Sequence, residues 1–218
     1  MLSYTEENYL KSIFHLGSKN EERSTSTNVI ADDLSIKPAT VTSMLKKLRE
    51  KNYIIYERYG KVKLTETGRV QALQIIRKHR LWEVFLVDKL HFSWDEVHEI
   101  AEQLEHIQSS KLIDKLDAFL DYPKYDPHGD PIPDIEGRLK PISSLTLSDA
   151  LVGKSYTVVA VNDSSAEFLK YLMQLKITLS AKLDILERIQ YDQSLRIRVN
   201  NTHEIMISEK TSMQLIIR

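Results

Sequence analysis

Cysteine is absent from this 218-residue chain. Disulfides and thiolate metal ligands are therefore excluded, and a metal could be held only through oxygen and imidazole nitrogen. Glycine is scarce, at six residues, and no Gly-rich phosphate loop appears. Long apolar runs are missing as well. No stretch approaches the roughly 20 residues that span a bilayer, and the opening MLSYTEENYLKSIFHLG is too polar for a secretory signal. The expected compartment is the cytoplasm, with no membrane partner. Charge of one sign is lacking too, since the net charge is −1. That average hides a division. Residues 1–63 carry eleven Lys or Arg against eight Asp or Glu, whereas residues 64–143 carry ten against fifteen. A mildly basic front and an acidic middle point to different partners for the two regions.

Proline is concentrated. Five of the six prolines lie between Pro123 and Pro141, in DYPKYDPHGDPIPDIEGRLKP. Proline lacks a backbone donor and disfavours helix before it, so this segment is expected to be an extended connector between two folded parts. In the first part, Tyr9, Ile13 and Leu16 follow a Ser3/Thr5 start at helical spacing. A short helix over about Asn28–Leu34 precedes a tight turn at Ser35–Ile36. Pro38 then opens a third helix, whose apolar stripe is Val41, Met44, Leu45 and Leu48. YIIYERYGKVKLT reads as a hairpin with Gly60 at its tip. Helices over about Glu66–Leu90, Trp94–Ile107 and Ser110–Leu120 complete this part. After the prolines come the strand-like SYTVVAV, KLDILERI, SLRIRV, EIMIS and MQLIIR, with one helix near Ala166–Gln174. Asn200–Asn201 is a hairpin turn, and the spacing of the short strands suggests a small barrel.

Helix, helix, turn, helix, hairpin within some 60 residues is the order of a winged helix-turn-helix. The third helix turns Ala39, Thr40, Ser43 and Lys47 away from its apolar stripe. Small and polar residues there suit entry into a major groove. Lys37, Lys46 and Arg49 can reach phosphates, and the wing offers Arg58, Tyr59, Lys61 and Lys63. The plainer alternative is a solvated charged helix beside an ordinary hairpin.

HEIAEQLEH, residues 98–106, places His98, Glu102, Glu105 and His106 within roughly a 100° arc of a helix. An amphipathic helix needs a polar face, and that alone accounts for much of the pattern. Yet two of only seven histidines fall on this stripe, and RKHRLWE adds His79 and Glu83 at i and i+4. Carboxylates gathered in one place repel unless a cation joins them. Oxygen and imidazole donors suit Mn2+ or Fe2+, and Zn2+ can enter such sites. An enzyme is not expected. The inverted zinc-peptidase pattern HxxEH is broken by Glu102, no serine sits in an elbow motif, and no small-molecule substrate is implied.

The chain as a whole resembles the diphtheria-toxin-repressor family of metal-dependent transcriptional repressors. TEENYLKSIFHL, IADDLSIKPATVTSMLKKL, TETGR, RKHRLWE, the 98–106 stretch and HGDPIP carry the resemblance. It implies a mainly α chain with a small β domain. The parts would be a winged helix-turn-helix over 1–64, a helical metal-binding and dimerisation domain over 65–122, a Pro-rich connector over 123–147 and an SH3-like domain over 148–218. It implies a homodimer binding a palindromic operator when loaded with metal. One family metal site would use His79, Glu83 and His98 with Glu167 from the third domain. The other would use Glu102, Glu105 and His106 with Asn8 from the first helix. Iron-responsive members have cysteine where this chain has Glu102, so the resemblance points to Mn2+ first and Fe2+ second. Asn8 stands where the branches have methionine or aspartate, and Lys11 where small manganese-responsive members have glutamate. Leu81, Trp82, Phe85, Leu86, Leu112, Leu116 and Phe119 are candidates for dimer contacts or internal core. His128 is expected to serve a turn. The rival to metal control is a winged-helix regulator indifferent to metal.

Overall fold

The structure is a computed structural model that describes residues 2–18, 22–56, 60–140 and 145–218. The chain divides into two compact units. One comprises residues 1–79, 102–113 and 133–139; the other comprises 80–101, 114–132 and 140–218.

The first unit begins with α1 (Tyr4–Ser18). Its start is fixed by a reciprocal cap. The Ser3 amide donates to Glu6 Oε2 at 2.9 Å, and the Glu6 amide donates to Ser3 Oγ at 3.3 Å. Tyr9, Leu10 and Ile13 are buried on one face. A three-residue strand, β1 (Ser24–Ser26), leads into α2 (Thr27–Asp33), which Ser26 caps by accepting from the Val29 amide. Ser35 turns the chain at φ +53°, and α3 (Pro38–Glu50) starts with proline where no intrahelical donor is needed. Val41, Leu45 and Leu48 bury its inner stripe. β2 (Ile54–Tyr56) and β3 (Lys61–Leu64) form the wing, and the antiparallel sheet runs β1-β3-β2. Sequence reading missed β1, because Ser-Thr-Ser offers no apolar alternation; pairing to β3 from Ser24 to Ser26 makes the strand. The helix α4 (Glu66–Leu90) starts against the wing, where Gly68 lies so close to the Tyr53 carbonyl that a Cβ would stand 1.9 Å from the oxygen.

The helices α5 (Val97–Leu104) and α6 (Ser110–Phe119) are shorter than expected. The helix expected over 94–107 is corrected at both ends. Glu105 and His106 lie in a turn beyond α5, because tertiary ion pairs hold Glu105 fully buried there.

The proline-rich connector is not simply extended. Asp126–Asp130 is a closed turn: the Asp126 amide donates to the Asp130 carbonyl at 2.9 Å, and the Gly129 amide donates to the Asp126 carbonyl at 3.1 Å. The turn joins β4 (Ser155–Val161), whose Val161 amide donates to the His128 carbonyl at 3.0 Å. After β4 come α7 (Ala166–Gln174), β5 (Lys182–Arg188), β6 (Leu195–Val199), β7 (His203–Ile207), α8 (Glu209–Ser212) and β8 (Leu215–Ile217). Strand order is β7-β6-β5-β4-β8. β4 pairs with β5 through Ser155–Thr157 and with β8 through Val158–Val161, with a register shift in the latter. Shifts of this kind bend strands, which lets one short strand serve two neighbours. Leu183, Ile185, Leu195, Ile197, Val199 and Leu215 are among the fully buried side chains of this core. Asn200 and Asn201, at φ +48° and +58°, make the expected two-residue hairpin turn.

Candidate functional site

Within the first unit, α1 and the segment after α5 bring together residues nearly a hundred positions apart. One face of α1 carries Glu7, Asn8 and Lys11. Lys11 Nζ pairs with Glu102 and with both oxygens of Glu105, at 2.7 and 2.9 Å. His79 Nδ1 lies 2.6 Å from Glu105 Oε2. His79, Glu102 and Glu105 each present a ligand atom within 4.8 Å of the others.

His106 is set differently. Its Nδ1 lies 2.5 Å from Glu7 Oε2, so the ring donates there, and Gln108 Nε2 donates to the other Glu7 oxygen at 2.8 Å. Lys78 Nζ is 3.5 Å from Glu7, and the Tyr4 ring covers His106 with centroids 3.7 Å apart. That tautomer leaves His106 Nε2 with a lone pair. Nε2 is buried without a hydrogen-bond partner and stands 3.6 Å from Glu105 Oε1. Asn8 Oδ1 is likewise buried and unpartnered. Buried acceptors without donors are costly, and both belong to residues with good metal-ligand chemistry. The donor set thus fits a hard or borderline divalent ion. Sequence reading missed Glu7. The signal was present as a second acid beside Asn8, but only the fold shows that it orients His106, as a carboxylate behind a ligating imidazole does.

A second cluster lies in the other unit. Glu83, Asp126 and His128 are all buried and present ligand atoms within 4.8 Å of one another. His128 Nε2 donates to the Trp94 carbonyl at 2.8 Å, which leaves Nδ1 as an acceptor 3.8 Å from Glu83 Oε1. Asp126 Oδ1 accepts the amides of His128 and Asp130 at 2.8 and 3.0 Å. Burial, with the negative fields of Glu83 and Asp130, pushes the Asp126 carboxyl up to about 7, against the opposing Arg80 and His128. A lone pair facing carboxylates in a dry pocket calls for a proton or a cation. His128 closes the turn as expected and also brings its ring to Trp94 and Glu83; Asp126 was not anticipated.

Of the first site expected by resemblance, Glu83 and the half-exposed His98 are together, with His98 Nδ1 3.6 Å from Glu83 Oε1. His79 is one turn before Glu83 on α4. Glu167 is exposed in the first turn of α7 and belongs to no group of three or more possible ligands among the described residues. An acid in that place stabilises the helix start by itself.

Lys37, which caps α3, and Ala39, Thr40, Ser43, Lys46 and Lys47 along it are all exposed. Ser43 Oγ donates back to the Ala39 carbonyl at 3.2 Å, and Arg49 lies over the Tyr56 ring at 5.7 Å. Lys61 is partly buried and paired with Glu22. Arg58 and Tyr59 lie outside the described residues. Among the described residues no helix is long and apolar enough to cross a membrane.

Comparison with known proteins agrees with this geometry. Residues 1–62 match the iron dependent repressor N-terminal DNA binding domain, 65–134 the iron dependent repressor metal binding and dimerisation domain, and 145–218 the FeoA domain. An uncharacterised HTH-type transcriptional regulator of Methanocaldococcus jannaschii is 37% identical over 120 residues, which is 55% of this chain and 95% of that protein. The iron-dependent repressor IdeR of Mycobacterium tuberculosis is 35% identical over 130 residues, 59% of this chain and 55% of IdeR. A manganese-dependent transcriptional repressor solved in complex with manganese superposes with a TM-score of 0.85 at 30% identity, covering 97% of this chain and 98% of that one. The chain belongs to the iron-dependent repressor family of metal-dependent transcriptional regulators, which are DNA-binding proteins and not enzymes.

Proposed function

We propose that this chain is a cytoplasmic repressor that binds a palindromic operator as a homodimer when loaded with Mn2+, or with Fe2+ in its place. The observation that carries the reading is the pair of unpartnered buried acceptors, Asn8 Oδ1 on α1 and His106 Nε2, the latter 3.6 Å from Glu105 Oε1. These residues come from the first helix of the DNA-reading fold and from the last turn of α5 and the segment after it. A bound divalent ion would supply the charge that draws these donors to one point. Asn8 then ties α1 to residues 102–106, and Glu7 keeps the His106 lone pair aimed inward. With α1 fixed, the exposed face of α3 is presented at a set angle. A dimer must place two such faces about one DNA turn, roughly 34 Å, apart. Operator affinity falls with the population of the fixed state, and operator DNA tightens ion binding by the same factor. The Glu83–Asp126–His128 cluster, with His98 at its edge, is proposed as a second ion site.

Manganese is favoured because the donors are carboxylate, amide and imidazole, with no thiolate in the chain. Exposed Phe119 and Leu112, at 62% and 40%, support self-association through α6. The deciding experiment titrates operator binding against Mn2+, Fe2+ and Zn2+, each with a chelator control. Binding that survives chelation undiminished would establish the metal-indifferent alternative.

Two further outcomes are expected. Lys46→Ala weakens binding to all DNA sequences alike and lowers the salt slope by about 1, whereas Ser43→Ala alters base preference at one operator position. Binding assays on operator variants at several salt concentrations separate the two. His128→Ala removes one ion per chain and leaves the Glu105 centre filled, as read by metal analysis after dialysis.

A further inference from the structure

We propose that Lys11 is a tethered cation that closes the Glu102–Glu105 carboxylate pair against divalent ions and so sets the ion concentration at which that centre fills. The proposal rests on reading the centre as a metal site.

An ammonium has three hydrogens to donate. Those of Lys11 are matched by Glu102 Oε1, Glu105 Oε1 and Glu105 Oε2. The Lys11 side chain is 13% exposed and Glu105 fully buried, so water screens this contact weakly. The acceptors of the site are thereby split. Lys11 satisfies the carboxylates, while Asn8 Oδ1 and His106 Nε2 receive nothing. A divalent ion takes both halves at once, because it coordinates four or more donors. It and the ammonium compete for the same carboxylate oxygens, and two cations crowded on those oxygens repel. Lys11 sits one turn beyond Glu7 on the helix that also carries Asn8, so its local concentration is high and constant. Its four-carbon stem lets the ammonium swing away without moving the helix. Another cation, Lys78, is engaged with Glu7 on the His106 side.

Competition of this kind weakens the apparent ion affinity by the fraction of time the ammonium is absent. If that fraction is about one in ten, removing the ammonium tightens binding about tenfold. It also takes a counter-charge away from Glu102 and Glu105, so the ion-free chain melts at a lower temperature.

The test uses the full chain without DNA. Free Mn2+ is followed by electron paramagnetic resonance during titration, and ion-free and Mn2+-loaded samples are melted. Lys11→Leu removes the charge and adds no ligating atom; Lys11→Arg keeps a cation. Expected are about tenfold tighter Mn2+ binding and a lowered ion-free Tm for Lys11→Leu, with Lys11→Arg close to the parent. Unchanged or weaker Mn2+ binding in Lys11→Leu, while Glu105→Gln removes the same binding step, overturns the proposal and leaves the metal site standing. If Glu105→Gln leaves all Mn2+ binding intact, the site reading fails and this inference with it. Should Lys11→Leu fail to fold, amine labelling of the parent chain decides. Mn2+ is expected to speed acetylation of Lys11, and equal protection with and without Mn2+ overturns the proposal.

Discussion

Glu105→Gln is expected to abolish the metal response while leaving the chain folded. The substitution keeps the shape and removes the charge, so the consequences follow from the contacts. Glu105 is fully buried and touches three partners: Lys11, His79 and, at 3.6 Å, His106 Nε2. It meets both the Lys11 side and the His106 side. Loss of a charged ligand should weaken ion binding by roughly 100-fold or more, since even outer partners of metal ligands are worth about 10–100-fold. The amide oxygen can still accept from Lys11, so the ammonium loses a charged partner but keeps Glu102. The fold should therefore persist, with the melting temperature of the ion-free chain changed only slightly. Isothermal titration with Mn2+ and operator binding with and without Mn2+ check this. The expected result is a variant that binds operator as the chelated parent does, at every Mn2+ concentration that saturates the parent. A variant that still gains operator affinity at the parent's Mn2+ midpoint would show that Glu105 holds no ion.

The distinction between local and distant information explains what could be read from the sequence. α4 and α7 were legible to their ends, because apolar periodicity and flanking caps are local. Pro38 and Asn200–Asn201 were legible because proline and paired asparagines restrict the backbone at their own positions. The end of α5 was not. Periodicity carries the helix on through His106, whereas pairing of Glu105 with Lys11, 94 positions away, holds it in a turn. Helical spacing brought His98, Glu102, Glu105 and His106 under suspicion on one arc. The fold instead sends Glu102, Glu105 and His106 toward α1, and His98 toward Glu83. Glu7 and Lys11 acquire their roles only through contacts with the far segment, and no spacing rule reports those. The same holds for Asp126 and His128. A turn was foreseen there, but not that it delivers two buried polar groups to Glu83.

That turn makes Gly129 a position where a single methyl group should do heavy damage. Gly129 has φ +89°, and a Cβ there would lie 2.1 Å from the Val159 carbonyl oxygen and 2.6 Å from Ala160 Cα. Both neighbours are backbone of β4, so neither can rotate away. Alanine at such φ costs about 1–2 kcal/mol, and forcing backbone apart adds typically 1–3 kcal/mol. A total near 3 kcal/mol lowers Tm by roughly 10 °C in a chain of this size. Gly153 is the internal control. Its φ is +81°, but nothing stands within 4 Å of an added Cβ, so Gly153→Ala should incur the backbone strain alone. The functional effect follows from the same displacement. Moving Gly129 off β4 breaks the Val161-to-His128 hydrogen bond and shifts the ring whose Nε2 is fixed on the Trp94 carbonyl. Gly129→Ala should therefore lose the ion held by Glu83, Asp126 and His128 and keep the one at Glu105. Paired thermal melts and metal analysis of the two glycine variants test both parts. Equal melting temperatures would mean that the turn does not press on β4. A full ion complement in a destabilised Gly129→Ala would mean that the turn is structural and holds no ligand.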